Sequence, residues 1–366
     1  MKNRLDRKML SVIFALAWPT MLEELMQTAV QYIDTAMVGT LGTQATAAVG
    51  ATSTVSWLVG STVSAVGVGF LAFISQSYGA GERDKAQRAA AQAVTVTVLI
   101  GLLFTAATTL LSGNITAWMQ VEASIRPMAS RYFRILYSPM LFRAASIIFA
   151  TVLRSVGDTR TPMRVSLNMN LLNIVLNFLL IYPSREISLF SLRLHVWGAG
   201  WGIQGAAAAS AAAYVYSGIA MTARLWSHPE LSPKGKRFLP DGEILAPCWK
   251  VAFPNMLQRF GTSLGYVVFA AMINALGDTA TAAHTIANTV ESLFYIPGWG
   301  MQTAAATLAG NALGARDAQR LKSLSKTILP LEIGLMVVSG GLLLIFAPQL
   351  MSIFTKDPQV KALGTR

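Results

Sequence analysis

Residues 17–48 read AWPTMLEELMQTAVQYIDTAMVGTLGTQATAA, and residues 252–283 read AFPNMLQRFGTSLGYVVFAAMINALGDTATAA. The two stretches align without a gap at an offset of 235 residues. Ala17-Trp18-Pro19 answers Ala252-Phe253-Pro254, Leu41-Gly42 answers Leu276-Gly277, and Ala45-Thr46-Ala47-Ala48 returns as Ala280-Thr281-Ala282-Ala283. The register holds as far as Gly79-Ala80 and Gly314-Ala315, and Arg83-Asp84 returns as Arg316-Asp317 after a two-residue gap. A fainter match joins 110–131 to 345–366. The chain therefore reads as one structural unit built twice.

The solvent for that unit follows from composition. Of 366 residues, 53% are hydrophobic and 13% charged, with a mean hydropathy of +0.50; soluble domains carry about 25% charged residues. Segments 89–112, 161–182 and 327–347 each supply the roughly 20 apolar residues that cross a bilayer core. Backbone in lipid must satisfy its own hydrogen bonds, so these runs are helices, and the alternating segments of a membrane barrel are missing. The expectation is an all-α membrane protein with nine spans near 11–37, 46–78, 89–112, 127–154, 161–182, 198–225, 247–273, 281–310 and 318–347.

Charge orients the spans. The N-terminus and segments 79–88, 154–164, 224–250 and 314–326 together hold 19 Lys and Arg, while 38–45, 113–125 and 274–280 hold none and 183–197 holds only Arg185 and Arg193. The positive-inside rule then predicts a cytoplasmic N-terminus. Both repeats start on that side, so they are parallel, as in transporters whose halves share an axis along the membrane normal. The polar, Pro-containing stretch 227–246 separates a six-helix lobe, 1–226, from a second lobe, 247–366, which holds three helices and the start of a fourth and reads as incomplete. The net charge of +12 sits in loops between spans, which argues against nucleic acid as partner. The lone Cys248 excludes an internal disulfide and reads as apolar filler. No cleavable signal is evident, since the basic N-terminus leads straight into a span.

Several stretches resemble the multidrug and toxic compound extrusion (MATE) family: PTMLEELMQTAVQYIDTAMVGTLG (19–42), SQSYGAGERDKA (75–86), LRSVGDTRTPM (153–163), ALGDTATAAHTIANTVESLFYIPGWG (275–300) and GNALGARD (310–317). The resemblance covers nearly the whole chain. It implies twelve helices in two six-helix lobes around a cleft. It also implies export of cationic amphiphilic drugs or metabolites from the cell, driven by inward protons or sodium across the inner membrane. Expected partners are membrane lipid, cationic small molecules and H+ or Na+, with no cofactor and no metal, in a monomer. Two alternatives stand beside this. One is a lipid-linked oligosaccharide flippase of the same superfamily, for which Arg134, Arg143 and Arg259 are the available cavity cations. The other is an inactive truncated remnant.

Asp34 is the leading candidate for ion coupling. A carboxylate inside a span is costly and functional by default, and its repeat counterpart is Phe269, so packing of the repeat does not demand it. The competing reading is a helix-end aspartate that reaches outside water. In the resembled family this aspartate is the coupling site. Asn173 and Asn177, spaced i,i+4, share one helix face at Asp34's expected depth. The family's proton-coupled branch often has Asn then Asp there, so Asn177 is a departure, and Ser210 stands where that branch often has Thr. Thr262 stands near the place where the sodium-coupled branch has Glu, which favours protons. Interhelical glue worth under ~2 kcal/mol is the alternative role for the amides and hydroxyl.

For cargo, Glu291 matches a common family residue beside Pro297 and is a candidate for cation binding. Trp57, Phe294 and Tyr295, with several Met, suit an adaptable apolar cavity or ordinary packing. Pro19 and Pro254, each removing an i→i−4 bond, are expected hinges, with Pro297 a kink. Glu24 is an extra charge in the inner half of the first span. Its expected partner is Arg259, its repeat equivalent across the cleft, which would make an inner gate; a static Arg143 pair is the alternative. No H-E-x-x-H, P-loop or Ser/His/Asp set appears, so the chain reads as no enzyme.

Overall fold

The computed structural model describes all residues except Met1, Gln120, Phe190, Ser191, Lys356 and Arg366; side chains at 2–6, 51, 53–54, 187–194, 274, 278 and 354 are also outside the description. Described residues form twelve helices and one hairpin: α1 (Lys2–Gly39), α2 (Thr43–Gly79), α3 (Arg83–Trp118), α4 (Arg126–Tyr137), α5 (Met140–Ser155), α6 (Arg160–Ile181), β1 (Pro183–Leu189), β2 (Leu192–Ala199), α7 (Ile203–Ser227), α8 (Gly242–Asn274), α9 (Asp278–Phe294), α10 (Ile296–Gly314), α11 (Ala318–Phe354) and α12 (Pro358–Thr365).

The duplication is visible in the helix ends. Adding the 235-residue offset to the end of α1, both ends of α2 and the start of α3 gives the end of α8, the start of α9, the end of α10 and the start of α11. Even the turn repeats. Gly42 has φ 105° and Gly277 φ 101°, with ψ 174° and 175°, a region that a side chain resists. The repeats differ in one place. α2 runs unbroken, whereas its counterpart stops at Phe294 and restarts at Ile296, with Pro297 in the first turn of α10.

Six single helices (α1, α2, α3, α6, α8 and α11) are long and apolar enough to cross a membrane, and α4 with α5, bent by 51°, makes a seventh span. The nine-span expectation is thus corrected in detail. The span expected at 127–154 breaks at Pro139, which has no N–H to give the helix. The 281–310 span is the broken α9–α10 pair, and α7, built largely of alanine, is not among the helices that pass as spans by length and composition. The loop expected at 183–197 is a hairpin, pairing Pro183 with Ala199 and Leu189 with Leu192. Arg185 caps it, with its guanidinium carbon 4.2 Å from the Phe178 ring centre and 4.3 Å from that of Tyr182.

In the first lobe, α3 presents Ala86, Ala89, Ala90 and Ala93 with no exposure, small residues that let helices approach closely. Against them pack Phe133, Tyr137, Ile148 and Leu153 of α4 and α5 in a continuous core. The second lobe is far barer, and the most apolar stretches of α8 and α11 bury nothing within the chain.

The lobes meet mainly at one end, although Tyr32 Oη also donates to the Thr289 carbonyl at 3.2 Å beside the gap. α2 packs along α8 and α10, and α1 along α10 and α11. Ile13 and Ala17 join Met301, Ala304, Leu308 and Ala312 in a second buried cluster. A Cβ at Gly314 would collide with the Gln76 carbonyl, and one at Gly69 would press on the Cys248 carbonyl. All these contacts but the Tyr32 bond lie at the cation-rich end. Towards the other end, where α1 and α8 finish, the lobes part.

Candidate functional site

The gap between the parted lobes is a cavity of about 790 Å³. One wall is the second half of α1 and the first half of α2, with α4 to α7 behind. The other wall is the far half of α8 and one face of α9, from which His284 and Asn288 project.

Asp34, Asn173 and Ser210 line this cavity, and Asn177, buried behind them, completes a connected cluster. Asn177 Nδ2 donates to Asp34 Oδ1 at 2.6 Å and to Asn173 Oδ1 at 3.1 Å. Asn173 Nδ2 donates to Ser210 Oγ at 3.1 Å. Turning the Asn173 amide places its nitrogen 3.0 and 3.1 Å from the two Asp34 oxygens, while its oxygen accepts from Ser210. The cluster exists because α6 packs on both α1 and α7 and buries the Asn face of α6, where Asn170, Asn173 and Asn177 are at most 6% exposed. No cation of the described residues lies within 4 Å of Asp34. Asn177 Oδ1 is buried with no partner, a spare acceptor beside the carboxyl. The site thus offers donors to an ionised Asp34 and an acceptor to a protonated one.

A smaller cavity of about 380 Å³ continues from the first toward the closed end, walled by Glu23, Glu24, Gln27, Arg143, Arg154 and Arg259 among others. Its ion pair joins Arg154 Nη2 to Glu23 Oε2 at 2.6 Å. Thr307 of α10 donates to the Arg154 carbonyl at 3.0 Å, tying the second lobe to the same spot.

The expected Glu24–Arg259 gate is not formed here. No ion pair within 4 Å joins Glu24 to Arg259 or to Arg143 among the described residues. Arg259 Nε instead donates to Asn255 Oδ1 at 2.8 Å, one turn away on its own helix. The neighbour Glu23 takes the arginine because its side chain points into the first lobe, where α5 brings Arg154. Arg143 lies over the rings of Tyr214 and Tyr137, at 4.8 and 5.4 Å.

The cargo candidates divide. Trp57 lines both cavities. Glu291, Phe294 and Tyr295 line neither: Tyr295 Oη donates to Glu291 Oε1 at 2.6 Å, and the Phe294 carbonyl accepts from Ser339 Oγ at 2.8 Å. These three sit at the α9–α10 break. α1 and α8 run continuously through Pro19 and Pro254, and of these three prolines only Pro297 lies at a break. Sequence reasoning passed over His284 and Asn288, spaced i,i+4, and Gln27 and Gln31, likewise spaced. A polar i,i+4 pair in an apolar span was the signal available for them.

A family model described as MatE matches residues 19–179 and 254–366, most of the chain. The chain belongs to the MATE family. It is 28% identical over 349 residues to a probable multidrug resistance protein NorM of Thermotoga maritima, covering 95% of this chain and 73% of that protein. It is 24% identical to the multidrug resistance protein PmpM of Pseudomonas aeruginosa, covering 98% and 73%. Among solved structures it superposes on a MATE protein in complex with MaD3S, with a TM-score of 0.87 at 22% identity over 97% of this chain and 76% of that one. It also superposes on an outward-facing multidrug resistance MATE transporter of the MOP superfamily, with a TM-score of 0.86 at 23% identity and the same coverage. As a MATE protein it is a multi-pass membrane transporter of the multidrug-efflux class and not an enzyme.

Proposed function

We propose that this MATE protein is a secondary antiporter in the inner membrane, with a cytoplasmic N-terminus, that exports cationic amphiphilic drugs or metabolites in exchange for protons by alternating access. The observation that carries this reading is Asp34: a carboxylate facing an interlobe cavity, without a cation, in a cluster able to hydrogen-bond it with or without its proton.

One carboxylate that serves both ions accounts for exchange. Ionised, Asp34 attracts a cation in a cavity where charge is poorly screened. When a proton enters from outside, it neutralises Asp34 and the attraction that held the cargo is gone. With the proton aboard, the lobe has lost a charge that is costly to enclose, which favours closing the cavity outside and opening it inside. Release of the proton there restores the cargo site. Only the state closed at the cation-rich end is seen, and that end is the cytoplasmic one if the positive-inside rule holds.

In proteoliposomes with an imposed pH gradient, Asp34→Asn is expected to abolish proton-driven dye export. Full export by that variant would end the proposal. Orientation is tested separately. A cysteine replacing Thr43 is expected to label from outside intact cells and one replacing Lys85 only after permeabilisation; labelling at position 85 in intact cells would reverse the topology.

A further inference from the structure

Arg143 is unlike the other two arginines that line the cavities. Arg154 has Glu23 and Arg259 has Asn255. Arg143 has no carboxylate within 4 Å among the described residues, and its Nε is shielded from solvent with no hydrogen-bond partner. Its guanidinium lies over the rings of Tyr137 and Tyr214, an attraction that orients the charge. The Tyr137 hydroxyl, buried beside it, lies within reach of the guanidinium and of Ser56. The Arg143 Nε–H has no acceptor, and a buried donor left unmade is costly.

Three further features place Arg143 at a ligand. Arg143 lines both cavities, at their junction. Gly60 of α2 stands opposite, where an added Cβ would lie 3.6 Å from Arg143 Nη2, so no side chain from α2 covers the guanidinium there. Arg143 also sits in the first turn of α5, just after the break at Pro139. The start of a helix is its positive end and favours an anion nearby, and a cation placed there is left further uncompensated. Half-helix N-termini inside membranes face anionic cargo groups in other transporters.

We infer that Arg143 forms an oxyanion subsite that takes the carboxylate of an amphiphilic cargo, on the first-lobe wall where the two cavities join, with Tyr137 behind it as a positioning residue. The planar guanidinium suits a carboxylate in two parallel N–H···O bonds, and the buried Tyr137 hydroxyl holds the guanidinium in place. Asp34 lines the same cavity and takes the cargo's cationic end, so the cargo class narrows to molecules that carry both charges on an apolar frame. This rests on the export reading for delivery of the cargo, but the subsite itself is a claim about binding.

The test uses two dyes with one cationic core: rhodamine 110, which bears a free carboxylate, and its methyl ester rhodamine 123. Binding to the purified full chain in nanodiscs is read by fluorescence polarisation. The wild type is expected to bind the acid more tightly than the ester. Arg143→Gln is expected to weaken the acid by about tenfold or more, the size of a charge-assisted hydrogen bond, with little change for the ester, and Arg143→Lys to retain part of the preference. Tyr137→Phe, which keeps the ring, is expected to lower the acid's affinity several-fold and spare the ester. A wild type that prefers the ester overturns the inference whether or not the variants fold, as does equal loss of both dyes in Arg143→Gln. If acid and ester divide as expected but neither dye is exported in proteoliposomes, the antiport reading fails and the subsite stands.

Discussion

Two carboxylates on α1, eleven residues apart, are treated in opposite ways. Glu23, at the closed end, is 9% exposed and bound to Arg154 at 2.6 Å. Asp34, at the open end, borders a cavity and is met by amides and no cation. A carboxylate with a fixed counter-ion serves as a structural tie, because removing the partner leaves a buried charge alone. A carboxylate met by neutral amides has neighbours that suit either form, because an amide both donates and accepts. The same helix therefore carries an ion-paired carboxylate at one end and an amide-bound one at the other, and side-chain direction decides which is which.

The largest test of that contrast exchanges both groups for amides in parallel. Asp34→Asn is expected to keep the fold, since an amide satisfies the same neighbours, and to lose proton-driven export. Glu23→Gln is expected to do the reverse. It strands Arg154 and costs about 3–5 kcal/mol of stability, read as a lower unfolding temperature in detergent. The double variant Glu23→Gln, Arg154→Met should recover much of that loss. If Glu23→Gln unfolds at the wild-type temperature and alone stops export, the roles drawn here are exchanged.

A smaller effect sharpens the outer site. Asn177→Ala removes the 2.6 Å bond to Asp34 but leaves Asn173 able to turn toward the carboxyl. Loss of one hydrogen bond to a charged group is worth about 1.5–3 kcal/mol, so a roughly tenfold or greater fall in export rate is expected, short of the complete loss at Asp34. An unchanged rate would mean that Asn173 alone holds the carboxyl.

The legible parts of this molecule were those that sequence encodes locally. Helix length, the repeat offset, the matched turns at Gly42 and Gly277, and the shared face of Asn173 and Asn177 all follow from spacing or from a backbone angle that only glycine accepts. Partner choice was not local. The sequence places Glu23 and Glu24 side by side, and only the packing of α5 against the first lobe gives Arg154 to Glu23. Glu291 and Tyr295 likewise bond each other at 2.6 Å and line neither cavity, although the spacing of α9 alone aims them at the cleft. The hairpin at 183–199 went unread because its strands are short and lie between two strong helical signals.

The smallest predicted effect concerns the paired carboxylates that hold the link between the lobes, half-buried at Glu230 and Asp241 and exposed at Asp84, the third case beside the buried lock and the cavity group. The link between the lobes is strapped to α3. Arg83 bonds Glu230 at 2.9 Å, Asp84 meets Lys236 at 2.5 Å, and Arg88 meets Asp241 at 2.5 Å. Farther along the same helix, Gln92 donates to the Leu239 carbonyl at 2.9 Å and accepts from the Asp241 amide at 3.1 Å, and Thr95 donates to the Phe238 carbonyl at 2.6 Å. Arg88, Gln92 and Thr95 fall on one face at i, i+4 and i+7, so the link lies in register along α3. The hydrogen bond from Lys236 holds the Asp84 carboxyl below the usual carboxylate range, and that from Arg88 does the same for Asp241. A carboxyl depressed in the folded state adds stability that is fully present above its unfolded pKa, about 3.9 for Asp, and is lost as pH falls through its folded pKa. Amide hydrogen-exchange protection across 236–241 is therefore expected to be full at neutral pH and to fall below about pH 4. The loss should be partial, because the bonds from Gln92 and Thr95 do not titrate, and salt should weaken the ionic part at any pH. The core of α5 serves as the reference that should not move over the same range. Protection at 236–241 that is flat from pH 7 to pH 3 would show that Gln92 and Thr95 hold the strap without the ion pairs.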